Sequence, residues 1–149
     1  MKKQLYLTGK LLLFAAISFA INSCSKSKSS GVTPTMANLV GTYKLSSETS
    51  QQDGSTVQIN VLDSLPACEK DDELRFNSNS TYDYLDAGTA CAPTGAYSGT
   101  WDLPSSNILV LDDYSLYSIK SFDTKTLVMI FTDLGSSPII SYTLTLVKQ

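Results

Sequence analysis

Histidine is absent from all 149 residues of the chain. The absence excludes Ser–His–Asp and Cys–His catalytic sites and every metal site that needs an imidazole ligand. The sequence also contains no Gly-x-Ser-x-Gly, no Cys-x-x-Cys and no glycine-rich phosphate loop. We therefore expect a protein that is not an enzyme and that carries neither a cofactor nor a metal.

Basic residues are also scarce. The chain has 11 Lys and Arg against 14 Asp and Glu, a net charge of −3 and a pI of about 4.7. Because neutralising phosphates requires clustered Lys and Arg, we expect no nucleic-acid partner. The hydrophobic content of 42% argues against a disordered chain, and the length provides for one domain.

The N-terminus has the pattern of a secretory signal. The first ten residues are positively charged because of Lys2, Lys3 and Lys10. The apolar stretch that follows, 11–21, is too short to span a membrane. Ile21-Asn22-Ser23-Cys24 resembles the bacterial lipobox, in which the cysteine is lipidated and becomes the mature N-terminus. We predict a lipoprotein signal peptide over 1–23 and lipid attachment at Cys24. The alternative is an ordinary signal peptide with an incidental cysteine.

A polar segment follows the cysteine. Residues 25–34 are rich in Ser, with Gly31 and Pro34, and lack apolar periodicity, which predicts a flexible tether over 24–36. Several acyl chains on Cys24 would hold the protein on the membrane permanently, because each buried methylene contributes roughly 0.8 kcal/mol. We expect a bacterial cell-envelope protein, anchored to the outer membrane and facing the periplasm.

The rest of the chain alternates with a period of two. Ile140, Tyr142, Leu144 and Leu146 alternate with small polar residues, as in a half-buried strand. Turn signals, Asp53-Gly54 among them, separate the segments. Thr35 is positioned to cap a single helical turn before residue 39. The predicted strands are 39–49, 56–62, 73–76, 82–86, 97–103, 108–111, 116–122, 127–132 and 139–147.

Short strands joined by hairpins close most simply into a barrel. We predict an all-β fold, an antiparallel up-and-down β-barrel of about eight strands, whose interior holds side chains or one small ligand. The continuously apolar segments 108–111 and 127–131 are expected to be covered on both faces. Inward-facing aromatic residues are the candidate ligand contacts. They are Phe76, Tyr82, Tyr84, Tyr97, Trp101 and Tyr142.

Several segments together resemble the lipocalin-like domain of bacterial lipoproteins. Tyr43 stands where the opening lipocalin strand has Trp, in a Gly-x-Tyr in place of Gly-x-Trp. The resemblance implies an antiparallel barrel with an apolar-ligand cup over residues 37–149, and it implies no particular ligand. The segments that carry it are 39–45, 68–76, 79–82, Cys91, 98–103 and 143–146.

Two cysteines remain after Cys24. Cys68 and Cys91 lie in loops beside the two strands of one predicted hairpin, and an even pair in an exported protein predicts a disulfide. The adjacent acidic run holds Glu69, Asp71, Asp72 and Glu73. It lacks the ligand spacing of a calcium loop, so we expect a solvated hairpin end.

Two functions are consistent with this organisation. The first is a membrane-anchored barrel that binds a small apolar or amphipathic molecule. The second is an envelope scaffold, or a protein-interaction or inhibitor module, with a filled barrel and no ligand. A cavity inside the barrel distinguishes them. The oligomeric state stays open.

Overall fold

The structure is a computed structural model that describes residues 31–149. The predicted signal peptide (1–23), the lipidation site Cys24 and the beginning of the predicted tether (24–36) lie outside the described residues. Within residues 31–149, no helix has the length and hydrophobicity needed to cross a bilayer.

One helical turn and nine strands make up the described chain. A 3-10 turn over Leu62–Ser64 adds to them. The elements are α1 (Met36–Leu39), β1 (Gly41–Gln52), β2 (Gln58–Asn60), β3 (Glu73–Phe76), β4 (Thr81–Leu85), β5 (Tyr97–Ser105), β6 (Ile108–Leu111), β7 (Ser115–Phe122), β8 (Thr126–Asp133) and β9 (Ile140–Lys148).

Eight of these strands close into an antiparallel barrel. Each of β3 to β9 pairs with its neighbour in the chain, and β1 closes the ring by pairing with both β9 and β3. β2 is additional and pairs only with the end of β1, beyond the Asp53-Gly54 turn. The predicted all-β barrel is confirmed, with one strand more than the ring requires.

The predicted strand positions are confirmed to within a few residues, and β2 differs most in length. It is shorter than the predicted 56–62 because the chain turns after Asn60. The Asn60 side chain donates to Asp63 Oδ2 (2.8 Å) and accepts from the Asp63 backbone N–H (3.4 Å). These bonds favour the 3-10 turn over a longer strand.

The two continuously apolar segments are buried on one face only. In β6 and β8, buried Leu109, Leu127 and Met129 alternate with the partly exposed Val110 and Val128. The expectation that both faces would be covered is therefore wrong for these strands. A barrel that closes on itself buries only the inward face of each strand.

A β-bulge in β1 changes which of its side chains face inward. Leu45 pairs with Leu146, but Glu48, rather than Ser47, pairs with Leu144. The extra residue, Ser46, shifts the alternation by one position, as a bulge does. The Glu48 side chain therefore points to the barrel interior, which strict alternation from Leu45 would have given to Ser47.

A packed core fills the end of the barrel next to α1. Its centre is aromatic: the ring of Phe76 lies 5.8 Å from that of Tyr43, edge-on, and 5.0 Å from that of Trp101. Leu39 of α1 is completely buried against this cluster. The predicted helical turn capped by Thr35 is confirmed and seals this end.

The N-terminal segment is attached to the same end. The Val32 backbone N–H donates to the carbonyl of Phe122 (2.8 Å), and Lys148 Nζ donates to the carbonyl of Asn38 (3.2 Å). The Tyr43 hydroxyl donates to the carbonyl of Leu39 (2.9 Å), which links α1 to β1 inside the core. We call this the closed end.

Tyr43→Phe is expected to destabilise the fold. The change removes the buried hydrogen bond and leaves the Leu39 carbonyl without that donor, which costs about 1–2 kcal/mol in the free energy of unfolding. Urea unfolding at pH 7 measures the loss. Tyr114→Phe is the control, because Tyr114 is 78% exposed. An equal effect of the two variants would contradict this account of the closed end.

The same variant carries a signature at alkaline pH. Burial raises the pKa of Tyr43 to about 12 from an ordinary value of 10.0. The stability that depends on the neutral phenol is complete below pH 10 and is lost as the pH rises towards 12. Tyr43→Phe should therefore lose less stability than the wild type across that interval.

Candidate ligand-binding cup

The barrel is hollow at the end away from α1. A cavity of about 260 Å³ lies there, above the packed core. We call this cavity, with the one beside it, the cup. Six of the eight barrel strands line the cavity with residues from within the strand. β5 and β6 line it with Tyr97 and Leu111, which lie at the strand ends nearest the opening. The lining is Leu45, Glu48, Leu65, Glu69, Asp72, Leu74, Tyr84, Tyr97, Leu111, Tyr117, Met129, Leu144 and Leu146.

A second cavity of about 330 Å³ adjoins the first. The two share Glu48, Tyr117 and Leu144, so Glu48 stands where they meet. Phe131, Asp133 and Tyr142 complete the lining. Each cavity is close to the lower limit of known small-molecule sites, about 300 Å³, which favours a ligand smaller than a typical drug.

A disulfide ties together the two long loops at the opening. Cys68 and Cys91 are bonded, with their Cα atoms 5.3 Å apart, as the sequence predicted. Asp71 Oδ2 accepts a hydrogen bond from the Thr89 backbone N–H (2.9 Å), which joins the same loops a second time. The segment that carries Leu65, Glu69 and Asp72 is thereby held against the barrel.

The six predicted aromatic contacts divide into two groups. Tyr84 and Tyr97 line the first cavity, and Tyr142 lines the second. Phe76, Tyr82 and Trp101 instead belong to the buried core and are 1–2% exposed. Alternation predicts that a side chain points inward. Whether it lies in the core or in the cup depends on how far its strand is shifted along the barrel relative to its neighbours.

The Tyr82 side chain belongs to the core, where a hydrogen bond fixes its hydroxyl, and it does not line the cup. Its hydroxyl donates to Asp112 Oδ2 (2.5 Å), and Asp112 Oδ1 accepts from the Thr100 backbone N–H (3.0 Å). Asp112 has a φ of 54°, the left-handed conformation that Asp tolerates at a turn. Trp101 is fixed similarly, since its indole N–H donates to the carbonyl of Asn77 (3.0 Å). These bonds satisfy the polar atoms of both residues inside the fold.

The sequence interpretation missed all four acidic residues of the cup, which are Glu48, Glu69, Asp72 and Asp133. Glu48 faces inward only because of the bulge, and the irregular polar run 46–48 was its only signal. Asp72 is 6% exposed, so the expectation of a solvated acidic run is wrong for this member. It immediately precedes β3 and continues the inward alternation of Leu74 and Phe76, a signal that the sequence interpretation did not use.

Burial controls the electrostatics of the cup. It raises the pKa of Glu48 and of Tyr117. It also raises the pKa of Tyr84, and the neighbouring Asp72 carboxylate raises it further. The two phenols stay neutral at physiological pH and present both a hydrogen-bond donor and an aromatic face. Among the described residues, no hydrogen-bond partner lies within reach of Asp72 Oδ1.

A closed antiparallel barrel that is packed at one end and hollow at the other is the architecture of small-ligand-binding β-barrels. The profile of the lipocalin-like domain family matches residues 39–129, more than half of the chain. The chain belongs to the lipocalin-like domain family. Neither a search of curated proteins nor a search of solved structures gave a match.

Glu48→Gln is expected to stabilise the protein near neutral pH. The raised pKa means that the fold disfavours the Glu48 carboxylate, so the wild type loses stability as this group ionises with rising pH. The neutral amide avoids that loss. The advantage of the variant should therefore be largest at pH 7 and should disappear by about pH 3, where the carboxyl group is protonated in both states.

Urea unfolding at the two pH values checks this expectation. Glu73→Gln is the matched control, because Glu73 lies on the outward face of β3 beside the inward Leu74. An advantage of Glu48→Gln that grows towards acidic pH would contradict the assignment of Glu48 to a desolvated position.

Proposed function

We propose that this chain is a non-enzymatic, membrane-anchored lipoprotein of the bacterial cell envelope whose barrel binds a small apolar or amphipathic molecule. The observation that supports binding is the hollow end of the barrel, where leucines and tyrosines surround two adjoining cavities. A barrel filled throughout for stability has no reason to leave this volume open, because empty apolar volume destabilises a fold.

The anchor is supported by the lipobox-like sequence and by the geometry of the described N-terminus. The chain enters the barrel at the closed end, where Val32 bonds to Phe122. An anchor attached before residue 31 therefore leaves the cup unobstructed. Its orientation on the outer membrane, facing the periplasm, is part of the proposal.

The second candidate is an interaction module, and a specific surface favours it. Val57 and Ile59 of the β1–β2 hairpin and Leu134 of the β8–β9 turn are 61–77% exposed, on the rim of the barrel. Exposed apolar side chains in one region are typical of contact surfaces. The following experiment separates the two candidates.

Filling the cup should abolish binding. Leu144→Phe places a larger ring where the two cavities meet, whereas Thr143→Phe adds the same ring to the outward face of β9. Small molecules released from the purified whole chain are identified by mass spectrometry, and 4-phenylbutan-1-ol is titrated calorimetrically as a soluble probe. We expect saturable binding to the wild type and Thr143→Phe, reduced at least about tenfold by Leu144→Phe.

Equal affinities of Leu144→Phe and Thr143→Phe for the probe, or no saturable binding to the wild type, would contradict the ligand-binding proposal. Retention of envelope proteins by both variants in that case would support the interaction module.

Intact mass and membrane partitioning test the anchor. The mature wild type should begin at Cys24, carry the mass of several acyl chains and partition into the detergent phase. Cys24→Ser should lack the acyl mass. The matched control is the double variant Cys68→Ser/Cys91→Ser, which should keep it. A mature protein with an unmodified Cys24, or with another N-terminus, would contradict the lipoprotein assignment.

A further inference from the structure

We infer that the cup selects a small organic cation, a protonated amine with an apolar body, over a carboxylate or an uncharged molecule of the same shape. This inference rests on the proposed ligand-binding function and specifies its chemical class. It is carried by the charge of the lining, by a buried acceptor without a partner and by the arrangement of the tyrosines.

All charged residues that line the cup are acidic. Glu48, Glu69 and Asp72 line the first cavity, and Glu48 and Asp133 line the second, with no Lys or Arg in either. Like charges in a desolvated space repel strongly because screening by water is weak there. A fatty acid or another organic anion would have to be bound against this field, whereas a cation is attracted by it.

Asp72 is the strongest indication of a ligand. Only 6% of the Asp72 surface is exposed, and its Oδ1 has no hydrogen-bond partner among the described residues. A buried carboxylate oxygen without a donor is costly, since that oxygen loses its hydration and has no protein hydrogen bond in its place. An N–H group of a bound cation would supply the missing donor and the opposite charge together.

Lys70 and Arg75, which flank Asp72 in sequence, are directed elsewhere, and so is Lys148 of β9. Lys70 donates to the carbonyl of Asp63 (3.0 Å), outside the cup. Arg75 lies on the outward face of β3, 3.9 Å from Asp83. Lys148 lies at the closed end, with Nζ 5.5 Å from the centre of the Tyr43 ring. Within residues 31–149, no Lys or Arg forms an ion pair with Asp72.

The aromatic side chains of the cup complete a site for an ammonium group. The rings of Tyr84 and Tyr97 stack at 5.3 Å, and those of Tyr117 and Phe131 lie 5.4 Å apart. Aromatic faces attract organic cations, and they do so more strongly where water is excluded. Carboxylates combined with tyrosine rings bind amines well and leave the apolar body in contact with Leu111 and Leu144.

A metal cation fits the cup less well than an organic cation. Within residues 31–149, no three Cys, Asp or Glu side chains converge closely enough to hold a metal ion. A hard divalent ion needs six or more oxygen ligands. The separated carboxylates suit an extended organic cation better, because it can reach one of them while its body fills the remaining volume.

Three probes of one shape test the inference. 4-Phenylbutylamine, 4-phenylbutan-1-ol and 4-phenylbutyrate share one carbon skeleton and end in a group that is cationic, neutral or anionic at pH 7. They are titrated calorimetrically at pH 7 onto the whole chain in phosphatidylcholine nanodiscs, with empty nanodiscs as the reference. We expect the amine to bind at least about tenfold more tightly than the alcohol, and the acid to bind most weakly, as a charge-assisted hydrogen bond predicts.

Matched variants localise the effect. Glu48→Gln and Asp72→Asn should each lower the affinity for the amine about five- to tenfold and leave that for the alcohol within about twofold. Glu73→Gln and Asp53→Asn make the same changes outside the first cavity and should leave the preference for the amine intact. Their circular dichroism spectra should match that of the wild type.

The outcomes separate the two proposals. Saturable binding of all three probes with equal affinities, or tightest binding of the acid, would overturn the inference of a cationic ligand while the binding function stands. No binding of any probe would overturn both. A preference for the amine that is unchanged in Glu48→Gln and Asp72→Asn would also overturn the inference of a cation site in the cup, because the cation would then be recognised elsewhere.

Discussion

The pairing of β1 with β9 is the interaction on which the rest of the structure depends. Their ladder runs from Tyr43 opposite Lys148 to Gln52 opposite Ile140 and joins the two ends of the domain. Without it the remaining strands form an open sheet with two exposed edges and no enclosed volume. The family match ends at residue 129, before β9, although β9 is the strand that closes the barrel.

The interior is divided between stability and binding. Near α1 the aromatic rings pack tightly, and each buried side-chain polar atom described there has a hydrogen-bond partner, as Tyr43 and Trp101 illustrate. Towards the opening the lining becomes acidic, and Asp72 Oδ1 stays without one. A fold tolerates such costs where function requires them, and the closed end supplies the compensating stability.

Sequence patterns predicted the nine strands and the capped turn at Thr35, because each depends on local spacing. The disulfide and the barrel were predicted from the order of the hairpins, from the even pair of cysteines and from the family resemblance. They did not predict which aromatic side chains reach the cup. Phe76 and Tyr84 alternate in the same way, yet one is in the core and the other in the cavity. Glu48 was hidden by a one-residue bulge, which depends on the pairing of β1 with the distant β9. Asp72 continues the inward alternation of Leu74 and Phe76, but the acidic residues around it indicated a solvated segment.

The attachment of the N-terminal segment gives the molecule a direction. Val32 is fixed to Phe122 at the sealed base, and the opening with its disulfide lies at the opposite pole. A lipid at Cys24 would therefore hold the molecule by its base and leave the mouth free to face the aqueous side. The ligand would then be exchanged with the aqueous compartment or with another protein in it.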